Sequence, residues 1–580
     1  MDPAGDRDAH PMTTPELPTL IALESHEGST AANAPLYLVD SLWLPRSSSV
    51  DTTTRRVRRG LAIEKESTFL SCCRQYPKAV AWSLLLFLTV VMEAYDKSLI
   101  TGFLAFPAFR QKYGRLVTKA PGEQDYEISP AWQMGLQNAA IVCEMIGLLA
   151  HGYITDVIGY RNMMIASLLW MCVAVFPAFF ANSIGVLLAS QALCGISWGV
   201  IQTLAATYAA EVVPAVLRPF VLSNINMCWL VGQLIGTGIL RSLVHETSEW
   251  SYRLPFALQW AWAIPLLFAI LFAPDSPWWL IRHGRSTDAK RALQRLSEKD
   301  NADIDDTIAL MEHTNRVEKS LDYGGDRYTD LFKGVNRRRT EIACMAWICQ
   351  ALSGWSFTSY APYFFEQAGF DASNSFNLST GNYGVGIVGG MISWVLLSFV
   401  GRRRLYISGL VAPIVLLLAG GIVSVVIGGR SGADWALGGL IIAMTFCYDM
   451  TIGPACYVLV AEIPSTRLRV KTVALARVTY NIALVFNNVI MPKMLNPSAW
   501  DLEGKSCFVY AGTSFLCLIW CYFRLPETKK LTYLELDILF EKKAPTSKFR
   551  ELQDRLTDNA YVSMSRAEQR STWHGWLAYS

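Results

Sequence analysis

The sequence predicts an all-α membrane protein with twelve transmembrane helices arranged as two pseudo-symmetric six-helix halves. Of its 580 residues, 52% are hydrophobic and only 17% are charged, whereas soluble chains usually carry about 25% charged residues. Apolar runs of about twenty residues, the length that crosses a bilayer, recur along the chain. Short motifs also recur in the same order in its two parts, which is typical of membrane proteins built from internal repeats.

The apolar runs predict six spans on each side of a charged stretch. They begin near Lys78, Ala131, Asn162, Ile184, Leu222 and Pro255, and again near Thr340, Leu378, Leu405, Trp435, Val473 and Cys507. The predicted organisation is a polar N-terminal tail (1–76), a first half (77–281), a central loop (282–339), a second half (340–525) and a C-terminal tail (526–580).

Arginine and lysine residues predict the orientation of these spans. They cluster before span one, in the central loop and after span twelve, whereas the opposite loops carry fewer basic residues and mix them with acids. Because basic loops stay on the cytoplasmic side, both termini and the central loop are expected in the cytoplasm. We expect the protein in the plasma membrane, although the sequence does not distinguish this from the vacuolar membrane.

Three motif pairs indicate that the two halves are related. The pairs are Gly152 to Arg161 with Gly401 to Arg403, Ala210-Glu211 with Ala461-Glu462, and Pro274-Asp275-Ser276 with Pro526-Glu527-Thr528. Each pair follows equivalent spans of the two halves, so a ligand site is expected between the halves.

Acids and arginines stand at the predicted cytoplasmic ends of several spans. The members of this set are Asp156, Arg161, Glu211, Arg218, Arg402, Glu462 and Arg469. Glu211 and Arg218 are seven residues apart, too far for an i,i+4 pair, so partners are expected on neighbouring helices. We expect the set to hold the two halves together and to separate when that side opens. The alternative is that the arginines only follow the positive-inside rule and the glutamates cap helices.

Carboxylates interrupt the first two spans at membrane depth. Glu93 and Asp96 are one turn apart in span one and share a helix face, and Glu144 lies near the middle of span two. A charge at this depth costs at least about 2.5–3.5 kcal/mol, so it is expected to face a protein interior or a water path. We expect the three acids to take up and release protons. For Glu93, the alternative is a pair with Lys97 that only neutralises the lysine.

Amide and aromatic side chains inside the spans are candidates for binding a polyol, which needs many hydrogen bonds and flat apolar surfaces. The candidates are Gln233, Gln350, Tyr360, Tyr457 and Asn481, with Asn226 and Ser356 as further ones. The alternative for each is a hydrogen bond between helices or a place in an interfacial aromatic belt.

The sequence contains no pattern of enzyme chemistry. There is no GxxxxGK[ST] loop, which argues against ATP-driven transport. No Ser/His/Asp or metal-binding constellation is recognisable, and most of the 13 cysteines lie inside apolar runs. We therefore expect neither an enzyme nor a cofactor nor a metal.

The motifs resemble those of the sugar porter family of the major facilitator superfamily, over about residues 77 to 545. Gly152 to Arg161 resembles the signature loop of the superfamily, and Pro274 to Leu280, Gly401 to Arg404 and Pro526 to Lys529 resemble sugar porter motifs. The segments most similar to fungal maltose and general α-glucoside:proton symporters include Glu93 to Asp96, Cys228 to Leu234 and Glu462 to Arg469.

This resemblance implies the major facilitator fold and alternating access. It also implies proton coupling through Glu93, Asp96 and Glu144, and sugar contacts near Gln233 and Gln350. Lys97 departs from this branch, which usually has a small polar residue there, and its charge beside the acids is expected to weaken coupling.

We therefore expect secondary active transport of an α-glucoside such as maltose by proton symport. The alternative is a diverged porter that exports a sugar-like metabolite, or facilitates its movement, without tight proton coupling. A transporter-like sugar sensor is disfavoured because the tail after Leu525 is short. The expected partners are the sugar, protons and the lipid bilayer, with no nucleic acid, and the protein is expected to be a monomer.

Overall fold

The computed structural model describes residues 56–57, 59–60, 69–104, 106–120, 123–246, 248–320, 327–355, 372–427, 433–495, 500, 502, 505–529, 531 and 533–552. The helices before the central loop are α1 (Phe69–Gln75), α2 (Pro77–Phe103), α3 (Pro107–Tyr113), α4 (Pro130–Ile158), α5 (Tyr160–Phe179), α6 (Ile184–Val212), α7 (Arg218–Leu243) and α8 (Trp250–Ile270). Those of the central region are α9 (Pro277–Arg282), α10 (Ser286–Leu296) and α11 (Asn301–Ser320). The remaining helices are α12 (Gly334–Gln350), α13 (Ala372–Phe399), α14 (Arg402–Ile427), α15 (Ala433–Met450), α16 (Ile452–Glu462), α17 (Arg469–Leu495), α18 (Ser506–Arg524) and α19 (Tyr533–Glu541).

Within the described residues, eleven helical stretches are long and apolar enough to cross a membrane, with α15 and α16 forming one of them. The remaining predicted span begins as α12, and the residues after Trp355, up to 371, lie outside the described part. The helices begin up to six residues before the predicted spans, as at Gly334 and Ala372. A helix continues beyond the hydrocarbon core, and its polar end residues are not part of the apolar run from which the span is predicted.

A strand hairpin and the helices of the central region, all outside the spans, were not predicted. Strands β1 (Arg115–Ala120) and β2 (Glu123–Glu127) form an antiparallel hairpin between α2 and α4, with Arg115 opposite Glu127. The central loop folds into α9 to α11, and α10 buries Leu293 and Leu296 on one face. We call the end of the bundle that carries the central region, Arg218 and Arg469 the basic face, and the opposite end the hairpin face.

Close helix contacts depend on glycine at a few positions. Where α4 meets α6, a Cβ atom on Gly195 would lie 2.3 Å from the backbone oxygen of Ala140, and one on Gly199 would lie 2.4 Å from that of Glu144. Only glycine allows this approach. The contact places Glu144 of α4 beside the middle of α6.

Two spans are broken near the centre of the bundle. Beyond α12, a π-helical turn (Ala351–Trp355) contains Gly354 with a φ of 89°, a value that favours glycine. The other break separates α15 from α16 at Thr451. Trp355 and Tyr448, which flank the breaks, stack with ring centroids 4.2 Å apart.

Candidate functional site

A cavity of about 220 Å³ lies at the centre of the bundle, between the helices that precede the central region and those that follow it. Its amide side chains are Gln137, Gln191, Asn226, Gln233, Gln350 and Asn488, and its aromatic ones are Trp198, Trp229, Trp347, Trp355, Tyr383, Tyr448, Tyr457 and Tyr480. Aromatic faces accept the apolar side of a small polyhydroxylated molecule, and amides exchange hydrogen bonds with its hydroxyls. The composition of this wall therefore fits a polyol.

The structure brings four of the predicted polyol ligands to this wall: Gln233, Gln350, Tyr457 and the further candidate Asn226 line the cavity. Asn481 does not, although its neighbour Tyr480 does. Successive residues of a helix point about 100° apart, so Asn481 leaves the wall that Tyr480 joins. Tyr360 and Ser356 lie outside the described residues.

A cluster of charged side chains lies at one side of the cavity. The Nζ atom of Lys97 lies 2.8 Å from Oε1 of Glu93 and 2.8 Å from Oε2 of Glu144. Gln202 donates a hydrogen bond of 3.1 Å to Glu93. Lys97 thus bridges carboxylates of α2 and α4, a geometry that goes beyond the i,i+4 pair considered from the sequence.

Lys97 is also held by two indole rings. Its Nζ atom lies 5.3 Å from the ring centroid of Trp198 and 5.1 Å from that of Trp229, within the range of cation–π attraction. Asp96, one residue earlier, is 1% exposed. The indole N–H of Trp198 is a polar neighbour of its carboxylate, but the two groups do not form a hydrogen bond. Of the three predicted acids, Glu93 and Glu144 therefore share Lys97 as their ion-pair partner, whereas Asp96 lies beside Trp198.

Two further buried charges belong to the second half, and the sequence analysis missed both. Arg477 on α17 lines the cavity with its guanidinium 4.4 Å from the ring centroid of Trp347 and 4.1 Å from that of Tyr480. Asp449 on α15 lines the cavity and accepts a 3.0 Å hydrogen bond from Asn226 of the first half. Both interrupt apolar spans, so the signal that identified Glu144 was present for them as well.

At the basic face, Glu211 joins the two halves. Arg282 lies 3.0 Å and Arg469 3.6 Å from its Oε1 atom, and Ser276 donates a short hydrogen bond to its other oxygen. Arg282 also donates a 3.1 Å hydrogen bond to the backbone oxygen of Thr466. The glutamate of the first half is thus paired with an arginine of the second half.

Asp156 and Arg161 do not pair with each other, although their motif had suggested a shared role. Asp156 forms its ion pair with Lys471 of the second half, a short contact. The backbone N–H of Arg161 donates a 3.1 Å hydrogen bond to Asp275, and its guanidinium donates to the backbone oxygen of Leu271. Burial raises the pKa of Asp275 from its ordinary value, and the N–H of Arg161 opposes this change.

The second half repeats this arrangement. Glu462 pairs with Arg402 at 3.4 Å and accepts a 2.6 Å hydrogen bond from Thr528, as Glu211 accepts one from Ser276. The backbone N–H of Arg402 donates a 2.8 Å hydrogen bond to Glu527, which corresponds to Asp275. The repeated motifs therefore have equivalent hydrogen-bonding roles in the two halves.

Arg218 has a tyrosine rather than an acid as its neighbour. The ring of Tyr533, at the start of α19, lies with its centroid 4.0 Å from the guanidinium of Arg218 and 4.0 Å from that of Arg469. Its hydroxyl donates a 3.1 Å hydrogen bond to the backbone oxygen of Ala210. A residue of the tail thus lies between arginines of both halves, which the sequence did not indicate.

Comparison with known proteins identifies relatives over most of the chain. The family model described as sugar (and other) transporter matches residues 82–540. The general alpha-glucoside permease of Saccharomyces cerevisiae is 38% identical over 526 residues, covering 87% of this chain and 84% of the permease. Maltose permease MAL31 of the same yeast is 37% identical over 498 residues, covering 84% of this chain and 80% of the permease.

Solved structures confirm the predicted fold class. The major facilitator superfamily proton:xylose symporter XylE bound to 6-bromo-6-deoxy-D-glucose has a TM-score of 0.69 at 20% identity, covering 80% of this chain and 99% of the symporter chain. The inward-open XylE from E. coli has a TM-score of 0.59 at 20% identity, covering 80% and 99%. The helices thus adopt the major facilitator arrangement of two six-helix halves.

Proposed function

Because the chain belongs to the sugar (and other) transporter family, we propose that it moves an α-glucoside such as maltose across the membrane by proton symport and alternating access. The two yeast permeases support this substrate class, since each is at least 37% identical to this chain over most of its length. The observation that carries the proposal is the cavity between the halves, with amide and aromatic walls and the Lys97 cluster at its side.

The basic-face contacts supply the gate of this cycle. Glu211 with Arg469, and Asp156 with Lys471, join the two halves at one end of the cavity, so the described state is closed there. Breaking these pairs exposes each charge to water, which offsets most of the lost attraction. Of the gate residues proposed from the sequence, Asp156, Glu211 and Arg469 can therefore separate and re-form within a transport cycle, whereas Arg402 and Glu462 pair within the second half.

Charge counting supports coupling of one proton to this cycle. Glu93, Lys97 and Glu144 comprise two carboxylates and one ammonium group in contact, which leaves one net negative charge. A single proton on either carboxylate makes the cluster neutral. A neutral cluster is more stable in a closed, low-dielectric state than a charged one, so proton uptake favours the occluded state through which sugar must pass.

The test is uptake of labelled maltose by a yeast strain without its own sugar porters. We expect accumulation against a gradient that a protonophore abolishes, while Glu144→Gln leaves the protein in the membrane but unable to accumulate sugar. If no sugar of a panel of disaccharides and hexoses enters these cells, the proposal is rejected.

A second function, facilitated movement without tight coupling, is favoured by one observation. Lys97 already supplies a positive charge between the two carboxylates that a proton would otherwise neutralise. In this case maltose equilibrates across the membrane but does not accumulate, and the protonophore has no effect. Reversing the pH gradient distinguishes the two functions, because the direction of net maltose movement follows the gradient only in symport.

We further propose the remaining features that the sequence predicts. The basic face and both termini are cytoplasmic, the protein resides in the plasma membrane as a monomer, and the domain limits are those given above. Epitope tags at the two ends, probed in intact and permeabilised cells, test the orientation.

A further inference from the structure

The cavity extends along the helices in two levels. The level nearer the basic face, which we call the inner tier, contains Asn226, Trp229, Arg477 and Tyr480. The level nearer the hairpin face, which we call the outer tier, contains Gln137, Gln191, Thr237 and Asn488. Both tiers belong to the same continuous cavity.

The positions of the two tiers along the helices are counted from Arg218 and Arg469, the two gate arginines at the basic face. Asn226 lies eight residues after Arg218 on α7, and Arg477 lies eight residues after Arg469 on α17. Thr237 and Asn488 each follow the corresponding arginine by nineteen residues on the same helices. At 1.5 Å per residue, Asn226 and Arg477 lie about 16 Å along the helix from the outer tier, and Trp229 and Tyr480, eight residues from it, lie about 12 Å away.

The other two helices give the same outer level. On α6, Gln191 precedes the gate residue Glu211 by twenty residues, and on α4, Gln137 precedes Asp156 by nineteen. Four helices, three of the first half and one of the second, thus place an amide or hydroxyl side chain at one height. This agreement makes the outer tier a ring of polar groups around the cavity.

The length of the cavity exceeds one sugar ring. A pyranose unit built from bonds of about 1.5 Å spans about 5 Å, so one ring leaves most of the distance between the tiers unfilled. The charged groups of the wall, Lys97, Asp449 and Arg477, are not members of the outer tier. Uncharged amides and a hydroxyl beside Leu136, Ile141 and Leu484 suit a neutral ring rather than a phosphate or a carboxylate.

We propose that the outer tier is a subsite for the second ring of a di- or oligosaccharide. The inner tier takes the first ring, and the outer tier makes the chain selective for linked sugars over a single hexose. This inference rests on the proposed function and extends it by naming the residues that distinguish a two-ring α-glucoside from a single ring.

The test compares two ligands on the purified full-length protein. Maltose has both rings, whereas methyl α-D-glucopyranoside keeps the α-linkage but replaces the second ring with a methyl group. Dissociation constants are measured from the change in tryptophan fluorescence, since Trp229 and Trp355 line the cavity. The outer-tier variants are Gln137→Ala and the nearly isosteric Thr237→Val.

The matched control variant, Gln350→Ala, removes a side chain at the height of the inner tier. Gln350 follows Arg339 by eleven residues on α12, the same spacing as Trp229 from Arg218, and Arg339 is fixed at the basic face by its 2.6 Å ion pair with Asp537 of α19. Melting temperatures of all variants show whether each protein is folded.

We expect each outer-tier variant to raise the dissociation constant of maltose about two- to tenfold, the range of one lost neutral hydrogen bond, and to leave that of methyl α-D-glucopyranoside unchanged. Gln350→Ala is expected to weaken both ligands. Equal effects on both ligands, no effect on either, or wild-type protein that binds maltose no more tightly than the methyl glucoside would each overturn the subsite alone. Wild-type protein that binds neither ligand would reject the proposed function and the subsite with it.

Discussion

At the scale of single residues, we expect Lys97 to determine how many protons the proposed transport cycle requires. Its ammonium contacts both Glu93 and Glu144, so one proton neutralises the cluster. In Lys97→Met the two carboxylates remain without a cation between them, and two protons are needed for neutrality. We expect the number of protons entering per maltose to rise from one to two, measured as alkalinisation of lightly buffered medium against labelled uptake.

Lys97→Arg is the matched control for this prediction. It keeps the positive charge, and an arginine also favours the faces of Trp198 and Trp229. The ratio is expected to stay at one in this variant. An unchanged ratio in Lys97→Met would show that Glu93 and Glu144 do not carry the coupled proton, and Asp96 would then be the next carboxylate to examine.

The limits of prediction at this scale are physical. Glu93, Asp96 and Glu144 were recognisable because a charge inside an apolar run stands out by composition alone. Asp449 and Arg477 carry the same signal, so they were available to the same argument. Asn481 and Tyr480 are different, since one residue of helix rotation decides which of them lines the cavity, and rotation depends on packing that composition does not record.

Among the helices, α4 and α6 meet beside Glu144 of the charged cluster, and the glycines of this contact give a stability prediction. In Gly199→Ala the new methyl group meets the backbone oxygen of Glu144 at 2.4 Å, so one helix must move. We expect a loss of about 1–3 kcal/mol, as for other overpacked cores, seen as a lower melting temperature of the purified protein. Gly238→Ala on α7, whose Cβ atom has nothing within 4 Å among the described residues, is expected to be neutral or slightly stabilising. Equal melting temperatures for the two variants would contradict the close approach.

Helix α19 connects the tail to both halves, and its Tyr533 contacts two arginines of the proposed gate. The ring lies between Arg218 and Arg469, so its loss removes two cation–π contacts from the state closed at the basic face. We expect Tyr533→Ala to speed hydrogen exchange of α19 and of the first turn of α7. Tyr533→Phe keeps the ring and loses only the hydrogen bond to Ala210, so its exchange should stay close to that of the wild type. Exchange in Tyr533→Ala that matches the wild type would assign α19 a role separate from the gate.

The elements differ in how well the sequence predicts them. The spans are long apolar runs, and helix α19 of the tail buries three apolar side chains, Leu536, Leu539 and Phe540. The hairpin of β1 and β2 has no such pattern, since its strands are short and carry both charges and apolar residues. The break at Thr451 has a local signal that the sequence analysis did not use, because Gly453 and Pro454 follow it and a proline disfavours an unbroken helix.

In the whole molecule, the acids and arginines of the motifs were predictable as a set, but their pairing was not. The seven-residue spacing of Glu211 and Arg218 predicted partners on neighbouring helices without naming them, and the structure pairs Asp156 with Lys471 and Glu211 with Arg469. Asp156 and Lys471 are 315 residues apart in the chain. Pairing across the two halves depends on how the halves face each other, which no motif within one half contains.

The pair of Asp156 and Lys471 offers a direct test of gating by the whole molecule. Asp156→Lys and Lys471→Asp each place like charges in contact at the basic face, where the Lys471 side chain is only 2% exposed. Because the Asp156 side chain is 27% exposed, the loss is smaller than the about 3–5 kcal/mol of a fully buried pair, and the closed state still weakens relative to the open one in each single variant. We expect maltose uptake to fall at least tenfold in both single variants at unchanged membrane abundance, and hydrogen exchange at the start of α17 to quicken. The double variant restores opposite charges and should recover most of the uptake, because the pair then closes with its polarity reversed. If the double variant stays as impaired as the single ones, the pair does not act as a gate, and the loss reflects some other need for these two side chains.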